Sequence, residues 1–269
     1  MIRLALRVRR ADAELVLAEL LELAPNGVEE AEDGDVVEFA VYGAPGELPA
    51  LPALRAAAGQ GLVEVRTEEI PDDWYDGWRE FHRPVVVGDR LRIRPPWEAA
   101  AADGDLIDIV IDPGMAFGTG AHATTRMCLE LMLELRPGGA FADLGCGSAV
   151  LAIAAARLGW GPVLALDHEA AAVAAAQANA EANGVAVEAR RWDLRRDTVP
   201  PAPTVAANLL RPLLLELADR TPSAPAHLVA GGLLVDEADD VVAAFAARGL
   251  AERERRVDGE WAALLLAGA

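Results

Sequence analysis

From residue 140 onward the chain alternates with a regularity that leaves few folds open. Short apolar runs near 140–144, 163–167, 185–190, 204–207 and 227–231 read as strands. Alanine- and leucine-rich stretches near 149–158, 169–183, 209–219 and 237–247 read as the helices between them. This alternation demands a parallel sheet with helices on both faces, joined by right-handed crossovers. The end breaks the pattern: Leu250 to Val257, the turn Asp258-Gly259 and Glu260 to Leu266 read as a hairpin. The sheet is therefore expected to finish in an antiparallel pair.

The first strand–helix junction, Ala142-Asp143-Leu144-Gly145-Cys146-Gly147-Ser148-Ala149, is where such a fold takes a nucleotide. Gly145 and Gly147 let the backbone pass close to a ligand. A dinucleotide fingerprint would also place glycine at position 150, which is Val150 here. Asp143, just before the turn, would repel a pyrophosphate and welcome an ammonium or a sulfonium. S-adenosylmethionine fits that charge, and the expected chemistry is methyl transfer.

Later strand ends supply the other candidates, because ligands of open α/β sheets bind there. Asp167 follows the second strand, placed either to accept hydrogen bonds from ribose hydroxyls or to cap the next helix. His168 reads as an exposed loop residue. Asp193 follows the third strand, as an acceptor for an adenine amine or as a turn carboxylate. Trp192 beside it suits core packing better than stacking. Asn208 follows the fourth strand; its amide oxygen can aim an amine, or its side chain can form an Asx turn ahead of the next helix.

Upstream, residues 2–9 alternate apolar and basic as a half-buried strand. A helix from Asp12 to about Leu23, strands at 28–31 and 36–42, a helix at 51–58 and a strand at 62–67 complete a ferredoxin-like order. The expected boundaries are 1–70 for this module, 71–82 for a linker helix carrying Trp74 and Trp78 on one face, and 83–269 for the larger domain. Short strands are expected at 85–87, 91–94 and 106–112, then a glycine-rich segment at 112–125 and a helix from Ala123 to Leu135. Phe117, in that segment, is a candidate cleft wall and cation partner, or an ordinary packing residue. His122 is a candidate base, but suits holding the segment in shape better.

Composition narrows the partners. The formal charge is −19, and all 24 basic residues are arginine, so the chain has no lysine of its own to modify. Direct nucleic-acid binding is disfavoured and basic partners are favoured. Cys128 and Cys146 are too few for a disulfide framework and lack metal-ligand spacing, so no metal is expected. A reduced, cytoplasmic monomer away from membranes is the expectation.

The motifs Asp112-Pro113-Gly114-Met115-Ala116-Phe117-Gly118-Thr119-Gly120-Ala121-His122-Ala123-Thr124-Thr125, Asp143-Leu144-Gly145-Cys146-Gly147-Ser148, Glu181-Ala182-Asn183-Gly184-Val185 and Ala207-Asn208-Leu209-Leu210 together resemble those of the bacterial ribosomal protein L-eleven methyltransferases. The resemblance covers most of residues 70–269. It implies a Rossmann-like class I methyltransferase sheet behind a ferredoxin-like domain that recognises the ribosomal protein. It implies S-adenosylmethionine binding at Thr125, Gly145, Asp167 and Asn208, and trimethylation of lysine and N-terminal amines. Other protein lysines, a small molecule, or a non-catalytic module remain the alternatives. Two departures stand out. Ala149 occupies the place of a third glycine, where its methyl either crowds the cofactor or packs beneath it. Residues 221–226 are short relative to the family.

Overall fold

The structure, a computed structural model, describes residues 2–13, 16, 20, 29–43, 62–69, 83–100, 106–113, 120 and 122–268. The chain divides into two units, Met1–Phe81 and His82–Ala269.

In the first unit, β1 (Ile2–Arg9), β2 (Glu29–Asp33), β3 (Val36–Gly43) and β4 (Leu62–Glu69) form one antiparallel sheet in the order β2-β3-β1-β4. The alternation of β1 gives it one apolar face. Leu4, Leu6 and Val8 pair across the ladder with Val41, Phe39 and Val37, and all six are buried. On the other face Arg3 and Arg7 both reach Glu38. Ala13, Val16 and Leu20, spaced as one helical face, join the same core. This strand arrangement is the ferredoxin-like one expected. Most of the helix expected at 12–23, the helix at 51–58 and the linker with Trp74 and Trp78 lie outside the described residues.

The second unit opens with a three-stranded sheet of β5 (Val85–Val87), β6 (Leu91–Arg94) and β7 (Ile107–Val110), with β6 central and parallel to β7. There follow α1 (Ala123–Leu133), β8 (Phe141–Leu144), α2 (Val150–Leu158), β9 (Val163–Asp167), α3 (Ala170–Ala182), β10 (Val187–Arg191), β11 (Thr204–Asn208), α4 (Arg211–Arg220), β12 (His227–Leu234), α5 (Ala238–Ala246), β13 (Leu250–Asp258) and β14 (Trp261–Gly268). The large sheet runs β10-β9-β8-β11-β12-β14-β13. Its first five strands are parallel, and β14 enters antiparallel between β12 and β13. This is the Rossmann-like class I methyltransferase sheet with its closing hairpin.

Strand alternation builds two cores. Phe141, Ala165, Ala206, Val229, Ala263 and Leu265 face α1, α2 and α3. Ala142, Leu166, Val205, Ala207, Leu228 and Leu264 face α4 and α5. Each fully buried Leu or Phe contributes roughly 1.5–3 kcal/mol. The turn of the hairpin is Gly259-Glu260, one residue later than expected, because Asp258 still pairs with Trp261. Strand β12 also outruns its expected end at 231, through a bulge between Ala230 and Leu233. Among the described residues no helix is long and apolar enough to cross a membrane.

Candidate active site

The turn after β8 is held by its own backbone. The Gly145 and Cys146 amides both donate to the Leu166 carbonyl at the end of β9, at 2.8 and 3.0 Å. The chain then passes through left-handed conformations at Gly145 (φ 72°), Gly147 (φ 51°) and Ala149 (φ 64°). Glycine takes these at little cost, whereas alanine costs about 1–2 kcal/mol. Ala149 is wholly buried and belongs to the core beneath the turn, with Val150 and Leu151. Its methyl packs under the turn, and that burial offsets part of the strain.

The Gly147 amide donates to Asp167 Oδ2 at 2.9 Å, and the Glu169 amide donates to Oδ1 at 3.0 Å. A carboxylate has about four acceptor positions, so Asp167 closes the turn and retains capacity for a ligand's hydroxyls. The cap of α3 is Glu169 rather than Asp167. His168 is exposed, as expected.

Asp143 departs from the expectation of direct contact. Its side chain lies under the turn, 1% exposed, where Oδ2 accepts the Ala152 amide in the first turn of α2 at 3.1 Å. Burial pushes its carboxyl up to about 7, against the lowering effect of the Ala152 bond and with a smaller push from the charge of Asp167. The carboxyl preceding the glycine turn therefore lies beneath the turn. Both thiols, Cys128 and Cys146, are also pushed up by burial, which leaves them poor nucleophiles.

Asn208 ends β11, the strand beside β8. Its Nδ2 donates to Thr125 Oγ1 at 3.3 Å. Its Oδ1 is buried and has no hydrogen-bond partner among the described residues. The Asx-turn alternative is not realised, since α4 caps on Leu210 without a side-chain bond. Thr125 is placed by the start of α1, whose cap is His122: the Thr124 amide donates to His122 Nδ1 at 3.3 Å. His122 also packs edge-on against Trp261, with ring centroids 5.0 Å apart. It shapes the end of the glycine-rich segment, the role favoured over a base.

Two glycines that the motifs did not single out complete this corner. A Cβ on Gly231 would sit 2.9 Å from Asn208 Oδ1, and one on Gly232 (φ 78°) would sit 2.6 Å from the Leu209 carbonyl oxygen. The Leu209 amide donates to the Gly231 carbonyl at 3.1 Å. The Leu209 side chain in turn fills the space over Gly145, where a Cβ would stand 2.3 Å from Cδ2. The readable signal was a Gly-Gly pair following an apolar run.

Asp193 belongs to a tight turn after β10. Its Oδ1 accepts the Arg195 amide at 2.9 Å, and its side chain is 39% exposed beside Arg196. Its described bonds are those of the turn carboxylate. Trp192 packs in the core, donating Nε1 to the Thr198 carbonyl at 3.1 Å. Phe117 lies outside the described residues.

The family described as "Ribosomal protein L11 methyltransferase (PrmA)" matches residues 49–268. A ribosomal protein L11 methyltransferase from Pelotomaculum thermopropionicum is 42% identical over 225 residues, covering 81% of this chain and 72% of that protein. One from Chloroflexus aurantiacus is 40% identical over 238 residues, covering 76% of this chain and 71% of that protein. The crystal structure of a ribosomal protein L11 methylase from Lactobacillus delbrueckii subsp. bulgaricus is similar, with a TM-score of 0.64 and 27% identity over 70% of this chain and 99% of that one.

Proposed function

The chain belongs to the ribosomal protein L11 methyltransferase family, and from that premise we propose that it transfers methyl groups from S-adenosylmethionine to lysine and N-terminal amines of ribosomal protein L11. The single observation that carries the site assignment is the buried Asn208 Oδ1 at the end of β11, which has no hydrogen-bond partner among the described residues. An acceptor left this way costs stability unless a ligand donates to it.

The residues present suit the cofactor. Gly147 puts no side chain between the backbone and a nucleoside, and Gly145 gives the turn its left-handed bend and leaves room for Leu209. Asp167 holds spare acceptor positions for ribose hydroxyls. Thr125 and Asn208 would border the methyl-donating end, and the exposed part of the Asp193 carboxylate would accept the adenine amine beside its turn bond to Arg195. Asp143 supplies negative potential from under the turn. When bound, S-adenosylmethionine provides an activated methyl group on a sulfonium that leaves as a neutral thioether.

The protein's own contribution is placement. Thr125 Oγ1 takes one hydrogen of the Asn208 amide, which fixes the amide plane and presents Oδ1 as the acceptor. An amine N–H donated to that oxygen turns the nitrogen lone pair toward the incoming carbon. Phe117 walls the cleft in this reading. Placement of this kind can lower a barrier by up to roughly 7–11 kcal/mol. The amine must first lose its proton. A free lysine is neutral only about once in a few thousand at pH 7, and an α-amine far more often. Desolvation favours the neutral form further, and the proton released from the methylated amine passes to solvent.

Charge suits the same substrate. Residues 1–81 carry 18 acidic against 7 basic residues, a charge balance that favours a basic ribosomal protein. The test is direct. The purified chain, incubated with S-adenosylmethionine and purified L11, is expected to add methyl groups to L11, read by intact-mass and peptide mass spectrometry. A substrate that gains none, with the cofactor bound, would overturn the assignment.

A further inference from the structure

Helix α3 and its C-cap residue carry two buried asparagines one turn apart, on a face otherwise made of alanine: Asn179 and Asn183. Neither bonds another side chain in any described contact; both bond backbone. Asn179 Nδ2 donates to the Ser148 carbonyl at 3.0 Å, inside the nucleotide turn. Its Oδ1 accepts the Asp112 amide at 3.0 Å, where the chain enters the glycine-rich segment. Asn183 grips the end of β7 and its own helix: its Oδ1 accepts the Val110 amide at 2.8 Å, and its Nδ2 donates to the Val110 carbonyl at 2.6 Å and to the Asn179 carbonyl at 2.7 Å.

Resting on the reading above, we propose that Asn179 is a positioning residue for methyl transfer: one buried carboxamide that locks the nucleotide turn and the entrance of the glycine-rich segment in a fixed register. The turn's other backbone bonds are local. Gly145 and Cys146 bond β9, Gly147 bonds Asp167, and Ala149 bonds Cys146. Among the described backbone bonds of the turn, the Ser148 bond reaches across to the segment's side, and Asn179 completes it with the other end of the same rigid amide. The amide is planar and 3% exposed, so neither bond is exchanged for water at low cost. Because α3 follows directly on Asp167, one helix fixes the ribose acid, the turn and the segment entrance together.

The experiment pairs Asn179→Ala with Asn183→Ala and measures calorimetric affinity for S-adenosylhomocysteine, thermal unfolding, and amide exchange at Asp112 and in the turn. Both variants are expected to unfold at lower temperature. Only Asn179→Ala is expected to bind roughly tenfold more weakly, the scale of one buried hydrogen bond, with faster exchange at Asp112. Asn183→Ala is expected to bind within about twofold of wild type, because it touches no part of the turn. If Asn179→Ala does not fold, Asn179→Asp carries the test. It keeps the size and the acceptor for Asp112 but opposes an oxygen to the Ser148 carbonyl, so affinity should fall while Asp112 stays protected. Equal affinity in wild type and the folded Asn179 variant, or equal losses in both alanine variants, overturns the positioning role alone. A wild-type chain that takes up no S-adenosylhomocysteine overturns the functional reading and the positioning role with it.

Discussion

Asp143→Asn isolates the charge beneath the turn. Asparagine keeps the size of the side chain and an oxygen for the Ala152 amide, but has nothing to ionise. The wild-type carboxyl is moved by burial from an ordinary 3.8 to about 7. Between those values the folded chain holds a proton that the unfolded chain has already released. Stability therefore falls as pH rises through this window and levels off above it. At about 1.4 kcal/mol per tenfold change in proton affinity, the whole window is worth about 4 kcal/mol. The lower part lies close to the isoelectric point near 4.5, where unfolding is hard to follow. From about pH 5.5 to 8.5, the remaining part is about 2 kcal/mol. Urea unfolding of the ligand-free proteins at several pH values measures it. The variant should gain that amount on wild type across the range. A stability difference independent of pH would refute a buried, proton-holding Asp143. The same substitution should weaken binding of the sulfonium-bearing cofactor more than of its neutral thioether product, and equal losses would remove the charge from recognition.

Asn208→Ala should lower kcat roughly a hundredfold, the scale of a misplaced reacting group, while circular dichroism melts stay near wild type; unchanged turnover takes Asn208 out of the mechanism. Gly232→Ala puts a methyl 2.6 Å from a backbone oxygen at φ 78°, and should destabilise by about 2–4 kcal/mol. Gly259→Ala, at φ 61° with open space around it, should cost only about 1 kcal/mol, and similar midpoints for the two in urea would contradict the packing of Leu209. Ala149→Gly should be nearly neutral in chemical denaturation, within about 1 kcal/mol, since relief of the left-handed strain is offset by a lost buried methyl and a freer unfolded chain.

The fold was legible because its signals are periodic. Alternation of two in β8, β9, β11, β12 and β14 sends neighbouring residues to opposite cores, and the same alternation marks strands in a bare sequence. Boundaries shifted where a local rule yielded to pairing. Strand β12 continues past Gly231-Gly232 because β14 still offers partners at Ala262 and Trp261, although two glycines read as a stop. The glycine turn and Asp167 were legible for a different reason: strand ends converge at one edge of a parallel sheet, so spacing along the chain predicts proximity in space.

The parts of the site that stayed hidden share one cause. Asp143 precedes the turn in sequence, and alternation along β8 says only that its side chain points away from those of Ala142 and Leu144. It does not say whether the space there holds a ligand or the first turn of α2, and the Ala152 amide occupies it. Asn179 is hidden more deeply. Its partners are the backbone of Ser148 and Asp112, and backbone groups are the same at every position. No residue type at 112 or 148 could have announced the contact. What the sequence does show is a cost without a visible return: two asparagines amid alanines, on the helix face that must be buried against the sheet. Buried amides are disfavoured unless every donor and acceptor is met. An asparagine at the apolar positions of a helix therefore points to backbone that has no ladder partner, and in an open α/β fold such backbone gathers at the strand ends where ligands bind.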